Sequence, residues 1–195
     1  MDRKKALGKH PAGKAFEDLQ ALHSELSAAF KHQFNRSLPF TDEVFDRWER
    51  AKELGWGEGS SVYDSAYIFG ETKVGKDTWV GPFTIIDGSG GLTIGNNCTI
   101  SSGVHIYTHS NLKQTLSGGK IPIERAPVSI GNCTYIAPQS ILSMGIKVGN
   151  HCIIAANSFV NDDIPDNAIV AGNPAKQIGR VILKGGDIAF DYSDF

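Results

Sequence analysis

The sequence predicts an all-β core wound as a left-handed parallel β-helix of about five coils, and three observations carry that prediction. An aliphatic residue returns every six positions at Val62, Ile68, Val74, Val80, Ile86 and Leu92. After a slip of two it returns at Ile94, Ile100 and Ile106, and again at Ile130, Ile136, Leu142, Val148, Ile154 and Val160. Small or polar residues tend to sit four places later, at Ala66, Thr72, Thr78, Thr84, Cys98, Thr134, Ser140, Cys152 and Ser158. Gly or Ala often follows the aliphatic residue directly, as at Gly75, Gly81, Gly95, Gly131, Ala137, Gly149 and Ala155. A helix repeats every 3.6 residues and a plain strand every two. A period of six is neither. It fits a short strand plus a turn, three such units closing one triangular coil. The aliphatic residue fills the interior, and the small ones permit tight corners. Each coil buries its surface only against its neighbours, so several are needed. An ordinary β-sandwich with chance spacing is the weaker reading.

Residues 1–60 form an N-terminal helical extension. Phe16, Leu19, Leu22, Leu26 and Phe30 follow helical spacing, and the stretch from Phe34 to Pro39 breaks it. Thr41 is suited to cap a second helix, with Asp42 and Glu43 at its positive end. Val44, Trp48, Ala51 and Leu54 give that helix an apolar face, and Gly55 ends it. These helices are expected to cover the open end of the β-helix, whose unpaired edges invite aggregation. Residues 1–14 are expected to be mobile.

Residues 61–165 form the β-helix itself. Between Ile106 and Ile130 lie 24 positions (130 − 106), four whole periods, and the stretch from Asn111 to Pro127 leaves the pattern. It reads as a protruding loop at 110–127, after which the coil resumes in phase. Long loops in compact domains are usually functional or disordered. The chain leaves the last coil at Asp163-Ile164-Pro165, and residues 166–195 form a tail carrying the cations Lys176 and Arg180.

Composition excludes several function classes. The 195 residues are 41% hydrophobic and 21% charged, with a net charge of −2, so no basic excess points to nucleic acid. No apolar run approaches the ~20 residues of a membrane span, and no membrane insertion is expected. The first ten residues lack an apolar signal core. Cys98, Cys133 and Cys152 are odd in number and form no CxxC pair, which fits a reducing cytoplasm.

Among six histidines, His10, His23 and His32 read as packing or solvent-facing residues, and His151 as a corner residue. His105 precedes the inward Ile106 and so points outward, with Tyr107 on the other side. His109 sits at the turn where the long loop departs. An imidazole beside a protruding loop suits a general base. The cysteines read as core residues.

Three segments carry a family resemblance: Gly103-Val104-His105-Ile106-Tyr107-Thr108-His109, Ala126-Pro127-Val128-Ser129-Ile130-Gly131-Asn132 and Ala171-Gly172-Asn173-Pro174-Ala175-Lys176. Over roughly residues 60–182 the chain resembles the hexapeptide-repeat O- and N-acetyltransferases. That family includes galactoside and maltose O-acetyltransferases and acyltransferases of cell-surface polysaccharide pathways. The resemblance implies a homotrimer with active sites in grooves between neighbouring β-helices. It implies acetyl-CoA or another acyl-CoA as co-substrate, and a sugar or nucleotide-linked sugar as acceptor of the acyl group at a hydroxyl or amine. His109 is the counterpart of the family's catalytic histidine. Pro138, Ala156, Asn161, Lys176 and Arg180 fall at or near positions that meet CoA, the two cations at its nucleotide phosphates. Trp79, Asp87, His105, Tyr107 and Glu124 are the candidate acceptor-binding residues, and Glu124 is also a candidate to orient His109.

There are departures. Asp162 stands where the family often has Lys. Pro138 replaces a Ser near the thioester and has no N–H to offer, so Ser140, Ser143 or another backbone N–H is left as oxyanion donor. Gly81 and Ser89 replace an Asn and an Asp that hold the sugar in galactoside acetyltransferases, and the turn before His109 is two residues shorter. The acceptor is therefore expected to differ from galactoside or maltose. The γ-carbonic anhydrases use the same β-helix with three histidines on a metal. Here His105 and His109 are four apart rather than five and a third partner is missing, so no metal is expected. A metalloenzyme of that kind and a non-catalytic β-helix protein are the alternatives.

Overall fold

The six-residue period is the trace of a stack. In a computed structural model of the chain, which describes residue 7 and residues 10–193, each short strand lies parallel to the strand one coil on. Three faces result. The first is formed by Ser61–Val62 (β1), Trp79–Val80 (β3), Thr99–Ile100 (β5), Tyr135–Ile136 (β10), Ile153–Ile154 (β13) and Ala168–Gly172 (β15). The second takes the leading halves of Tyr67–Val74 (β2) and Ile85–Ile94 (β4), then His105–Ile106 (β6), Ile141–Leu142 (β11) and Phe159–Val160 (β14). The third takes the trailing halves of β2 and β4, then Val128–Ile130 (β9) and Lys147–Val148 (β12), with Ile164 bridged to Val148. The result is a left-handed parallel β-helix of about six turns.

That is one turn more than the period counts. Ile169 and Val170 of β15 pair in parallel with Ile153 and Ile154, so this strand of the expected tail continues the first face. Val170 follows Ile154 by 16 positions (170 − 154) instead of 18, which took it out of phase in the sequence. Ala175–Lys184 (β16) then runs antiparallel to β15, and Asp187–Asp191 (β17) antiparallel to β16.

The interior is a column of aliphatic residues in direct register. Ile86, Ile100, Ile106, Ile136, Leu142 and Ile154 are wholly buried, each such side chain contributing ~1.5–3 kcal/mol over its exposed state. The small residues have a second task. Hydroxyls and thiols at one corner reach the carbonyl of the next coil: Ser60 Oγ to Gly75 (2.7 Å), Thr78 Oγ1 to Gly95 (2.9 Å), Cys98 Sγ to Gly131 (3.1 Å), Thr134 Oγ1 to Gly149 (2.9 Å) and Cys152 Sγ to Pro165 (3.1 Å). Beside them runs a ladder of side-chain acceptors. Asn96, Asn132, Asn150 and Asp166 each take the backbone N–H of the preceding coil's corner, at 2.7–2.9 Å.

The chain divides into two compact units, Met1–Asp46 and Arg47–Phe195. In the first, Gly13–Phe34 (α1) is joined to Phe40–Val44 (α2), and the Ser27 hydroxyl bonds both oxygens of the buried Glu43 (3.0 and 2.9 Å). The expected single helix from Thr41 is two. α2 begins at Phe40 behind Pro39, without a side-chain cap. Arg47–Glu53 (α3) belongs to the second unit. The division into compact units falls after Asp46. Its cause is local: the Arg50 guanidinium donates to the carbonyls of Tyr63 and Ala66, and the Trp56 indole N–H to Thr72 Oγ1 (3.1 Å), which packs α3 onto the first coil. The expected mobility of residues 1–14 falls largely outside the described residues, and α1 begins at Gly13.

A cavity in the middle of the stack has no neighbour free to fill it, since each coil is pinned above and below. Ile136→Ala is expected to cost ~2–5 kcal/mol, read as a lower midpoint in urea denaturation. A cost under ~1 kcal/mol would show that the stack relaxes around the gap.

Candidate active site

The site lies where the period slips. From the second face to the third, the first coil takes six positions (Ile68 to Val74) and the second takes eight (Ile86 to Ile94). The two added residues bulge out between Asp87 and Leu92, and the β2–β4 pairing shifts there, from Gly70 opposite Gly88 to Thr72 opposite Leu92. One coil on, the chain leaves the same edge as the long loop. His109–Ser110 (β7) and Glu124–Arg125 (β8) pair antiparallel at its base, and Leu112–Leu116 (α4) lies within it. The insertion of one coil and the loop of the next thus share an edge.

Asp87 sits under that edge, its side chain 1% exposed. Its Oδ2 accepts from His109 Nδ1 at 2.7 Å, from the Thr108 backbone N–H at 2.7 Å and from Thr108 Oγ1 at 3.0 Å. Its Oδ1 accepts from the Ser89 backbone N–H at 3.0 Å. Burial alone would push the carboxyl up. The bonds from Thr108, Ser89 and His109 outweigh it and hold Asp87 well below the usual carboxylate range. An ionised Asp87 requires the proton of a neutral imidazole to be on Nδ1. The other nitrogen, Nε2, is then a free base on a side chain 37% exposed. Ser89 Oγ stands 3.3 Å from the same Nδ1.

The neighbouring candidates arrange themselves around this pair. Tyr107 lies between two histidines, edge-on to His105 (ring centroids 5.9 Å) and to His109 (6.4 Å), with its hydroxyl 3.3 Å from His105 Nδ1. Glu124 does not reach His109; it pairs with Lys113 across the loop at 2.7 Å. Asp87, read in the sequence as an acceptor contact, holds the imidazole instead, and its burial leaves it little to offer an acceptor. Trp79 lies on the first face, packed edge-on against Tyr63 at 6.2 Å. Ser140 is buried and spends its hydroxyl on the Ala137 and Ala155 carbonyls.

The CoA candidates are split between edges. Asn161 follows β14 on the edge that carries His109. Pro138 and Ala156 follow β10 and β13 and are exposed on the edge between the first and second faces. Lys176 lies 3.7 Å from Asp162, and Arg180 lies 3.4 Å from Asp191. Among the described residues, no group of three or more His, Cys, Asp or Glu is arranged to hold a metal ion.

Sequence reasoning missed Asp87 as the partner of His109, and it missed Thr108 altogether. The available signal was the slip of two, which marks where the coil departs from its own rule.

A carboxyl depressed in the folded state contributes stability that is present above its unfolded value and lost as pH falls through the lower folded value. Asp87→Asn should therefore lower stability at pH 7, and the gap to the parent should close as the pH drops below ~4. Urea midpoints at both pH values measure this. A gap independent of pH would mean that Asp87 binds its proton alike in the folded and unfolded chains, and that the network does not favour its ionised form.

No family model matches the chain. Galactoside O-acetyltransferase of Escherichia coli is 27% identical over 183 residues, covering 87% of this chain and 86% of that protein. A putative acetyltransferase of Saccharomyces cerevisiae is 35% identical over 108 residues, about half of each chain. Among solved structures, a galactoside acetyltransferase in complex with coenzyme A superposes with a TM-score of 0.63 at 24% identity, over 84% of this chain and 82% of that one. The chain is thus similar in sequence to galactoside O-acetyltransferase, and its coils share the left-handed β-helix fold of the solved acetyltransferase.

Proposed function

We propose that this protein is an acyl-CoA-dependent acyltransferase that moves an acetyl or other short acyl group to a hydroxyl or amine of a sugar or nucleotide-linked sugar. The observation that carries the reading is the 2.7 Å bond from His109 Nδ1 to the buried Asp87. It supports an imidazole with its lone pair directed away from the protein, on the edge where the loop departs.

The chemistry is direct transfer. The acceptor hydroxyl or amine attacks the thioester carbonyl while His109 Nε2 takes its proton. Asp87 holds the ring in one tautomer and stabilises the imidazolium that forms. The tetrahedral intermediate collapses with loss of the CoA thiolate, which takes the proton from Nε2 and leaves as the thiol. General-base assistance of this kind contributes typically ~10²–10⁴-fold.

A homotrimer belongs to the same reading. The split between Pro138 and Ala156 on one edge and His109 and Asn161 on another supports a site completed by a neighbouring subunit. The outward residues of the second face, Tyr67, Ile85, His105, Ile141 and Phe159, stand in register one above another. They give that face an apolar and aromatic stripe suited to burial against another copy. Lys176 and Arg180 are the cations for the CoA phosphates, and the unpaired cysteines suit a reducing cytoplasm. Among the described residues, no helix is long and apolar enough to cross a membrane.

The test is His109→Ala in an acyl-CoA assay on sugar and nucleotide-sugar acceptors, with thiol release as readout. The kcat should fall by at least ~10²-fold while the KM for acyl-CoA changes little. A loss below about tenfold would remove His109 from the role of base. Sedimentation equilibrium should give the mass of a trimer, and a monomer fully active at the same concentration would refute the shared site.

A further inference from the structure

Thr108 makes more connections than its place in the coil requires. It is wholly buried at 0% exposure. Its backbone N–H donates to Asp87 Oδ2 at 2.7 Å. Its hydroxyl lies 2.9 Å from the Asp87 carbonyl and 3.0 Å from Oδ2, and accepts the Gly90 N–H at 2.8 Å. Its own carbonyl accepts the Ala126 N–H at 3.0 Å, where the long loop returns. One residue thus joins the inserted turn, the carboxylate and the returning arm of the loop.

Coil architecture does not account for this hydroxyl. Thr108 stands two places after the inward Ile106. The positions two places after Ile68, Ile86, Leu142 and Val160 are Gly70, Gly88, Met144 and Asp162, none of which has a hydroxyl. The corner hydroxyls elsewhere, such as Thr78, bond the main chain of the next coil. Thr108 also bonds a side chain, the carboxylate that holds His109. The inserted turn is shaped to meet it: a Cβ on Gly90 would collide with the Thr108 carbonyl.

We propose that Thr108 is a positioning residue for the transfer reaction, its hydroxyl clamping the Gly88–Gly91 insertion to Asp87 and so fixing the direction in which His109 presents Nε2. This rests on His109 being the base. The hydroxyl has a single hydrogen, which goes to Asp87, and its lone pair takes the Gly90 N–H. Removing it leaves the Gly90 N–H without its partner and frees one side of the carboxylate. The ring of His109 then loses its defined angle, and a misplacement on the order of 1 Å costs up to ~10²-fold.

The test uses the full-length protein with Thr108→Val, which keeps the shape, and Thr108→Ser, which keeps the hydroxyl. Thr108→Val should lower kcat by ~10–100-fold, the range seen for outer-shell partners, with the KM for acyl-CoA within about twofold of the parent. Thr108→Ser should recover most of the rate. Proton NMR supplies a readout that a purely structural role would not move. The downfield Nδ1–H resonance, assigned by its loss in His109→Ala, should broaden or vanish in Thr108→Val and persist in Thr108→Ser, under conditions where circular dichroism shows all variants folded. The proposal is overturned if Thr108→Val keeps kcat within about threefold, if its Nδ1–H resonance matches the parent's, or if the Ser variant is as impaired as the Val variant. Should the parent transfer no acyl group to any acceptor tried, the reading of His109 as base fails, and the NMR comparison alone still decides whether Thr108 locks the pair.

Discussion

Register between coils is the constraint on which the rest of this structure depends. A two-residue strand buries almost nothing by itself. It becomes stable only because Val80 lies on Val62 and Ile100 on Val80, each aliphatic residue closing the cavity left by the last. The same alignment brings Thr78 Oγ1 to the Gly95 carbonyl and Asn96 Oδ1 to the Lys76 N–H. Those bonds tie each corner to the next coil, a typical one contributing ~0.5–1.5 kcal/mol. A shift of one residue in any coil would turn its interior residues outward. The six-residue rule is therefore enforced by packing and hydrogen bonding together, and tolerance for departure is small.

That strictness gives meaning to the places where the rule is broken. Two departures are large, the added pair of residues between Ile86 and Ile94 and the excursion between Ile106 and Ile130, and they meet on one edge. A regular coil presents its corner polar groups to its own backbone, so it has none to lend to chemistry. The insertion frees Asp87 from that arrangement and turns its carboxylate toward the next coil, where the departing loop has placed His109. The buried charge this creates is costly unless fully bonded, and Thr108 and Ser89 supply the remaining donors. The irregularity and the hydrogen-bond network are two aspects of one solution.

Much of this was legible in the sequence. The aliphatic column, the corner residues and the loop all follow from spacing, because each reflects a local rule repeated many times. The place of His109 at the base of the loop was legible because the loop's departure is itself a break in spacing. What could not be read were contacts between positions related by the helix rather than by the chain. Asp87 and His109 are 22 positions apart: the coil between them runs 20, from Ile86 to Ile106, which is the regular 18 plus the two-residue insertion, and His109 lies two places beyond the position one coil on from Asp87. Glu124 was a candidate to orient the imidazole, but the spacing does not place it beside His109. Its neighbour in space is Lys113, on the same loop. The sixth turn escaped for a similar reason, since Val170 arrives two residues early.

The separation of the CoA candidates follows from the same geometry. In a triangular coil, residues six apart lie on successive edges, and residues eighteen apart lie on one edge a coil on. Pro138 and Ala156 differ by 18 (156 − 138) and share an edge; Asn161 lies on the next edge, with His109. No rearrangement within one chain can bring those edges together, because a full face of paired strands stands between them. A ligand that touches both must bridge two β-helices set side by side, with the apolar second face between its edges turned toward the partner. On the proposed reading, in which CoA meets both edges, association is a condition of the chemistry: the register that makes each coil rigid would also keep a single chain from closing around its substrate.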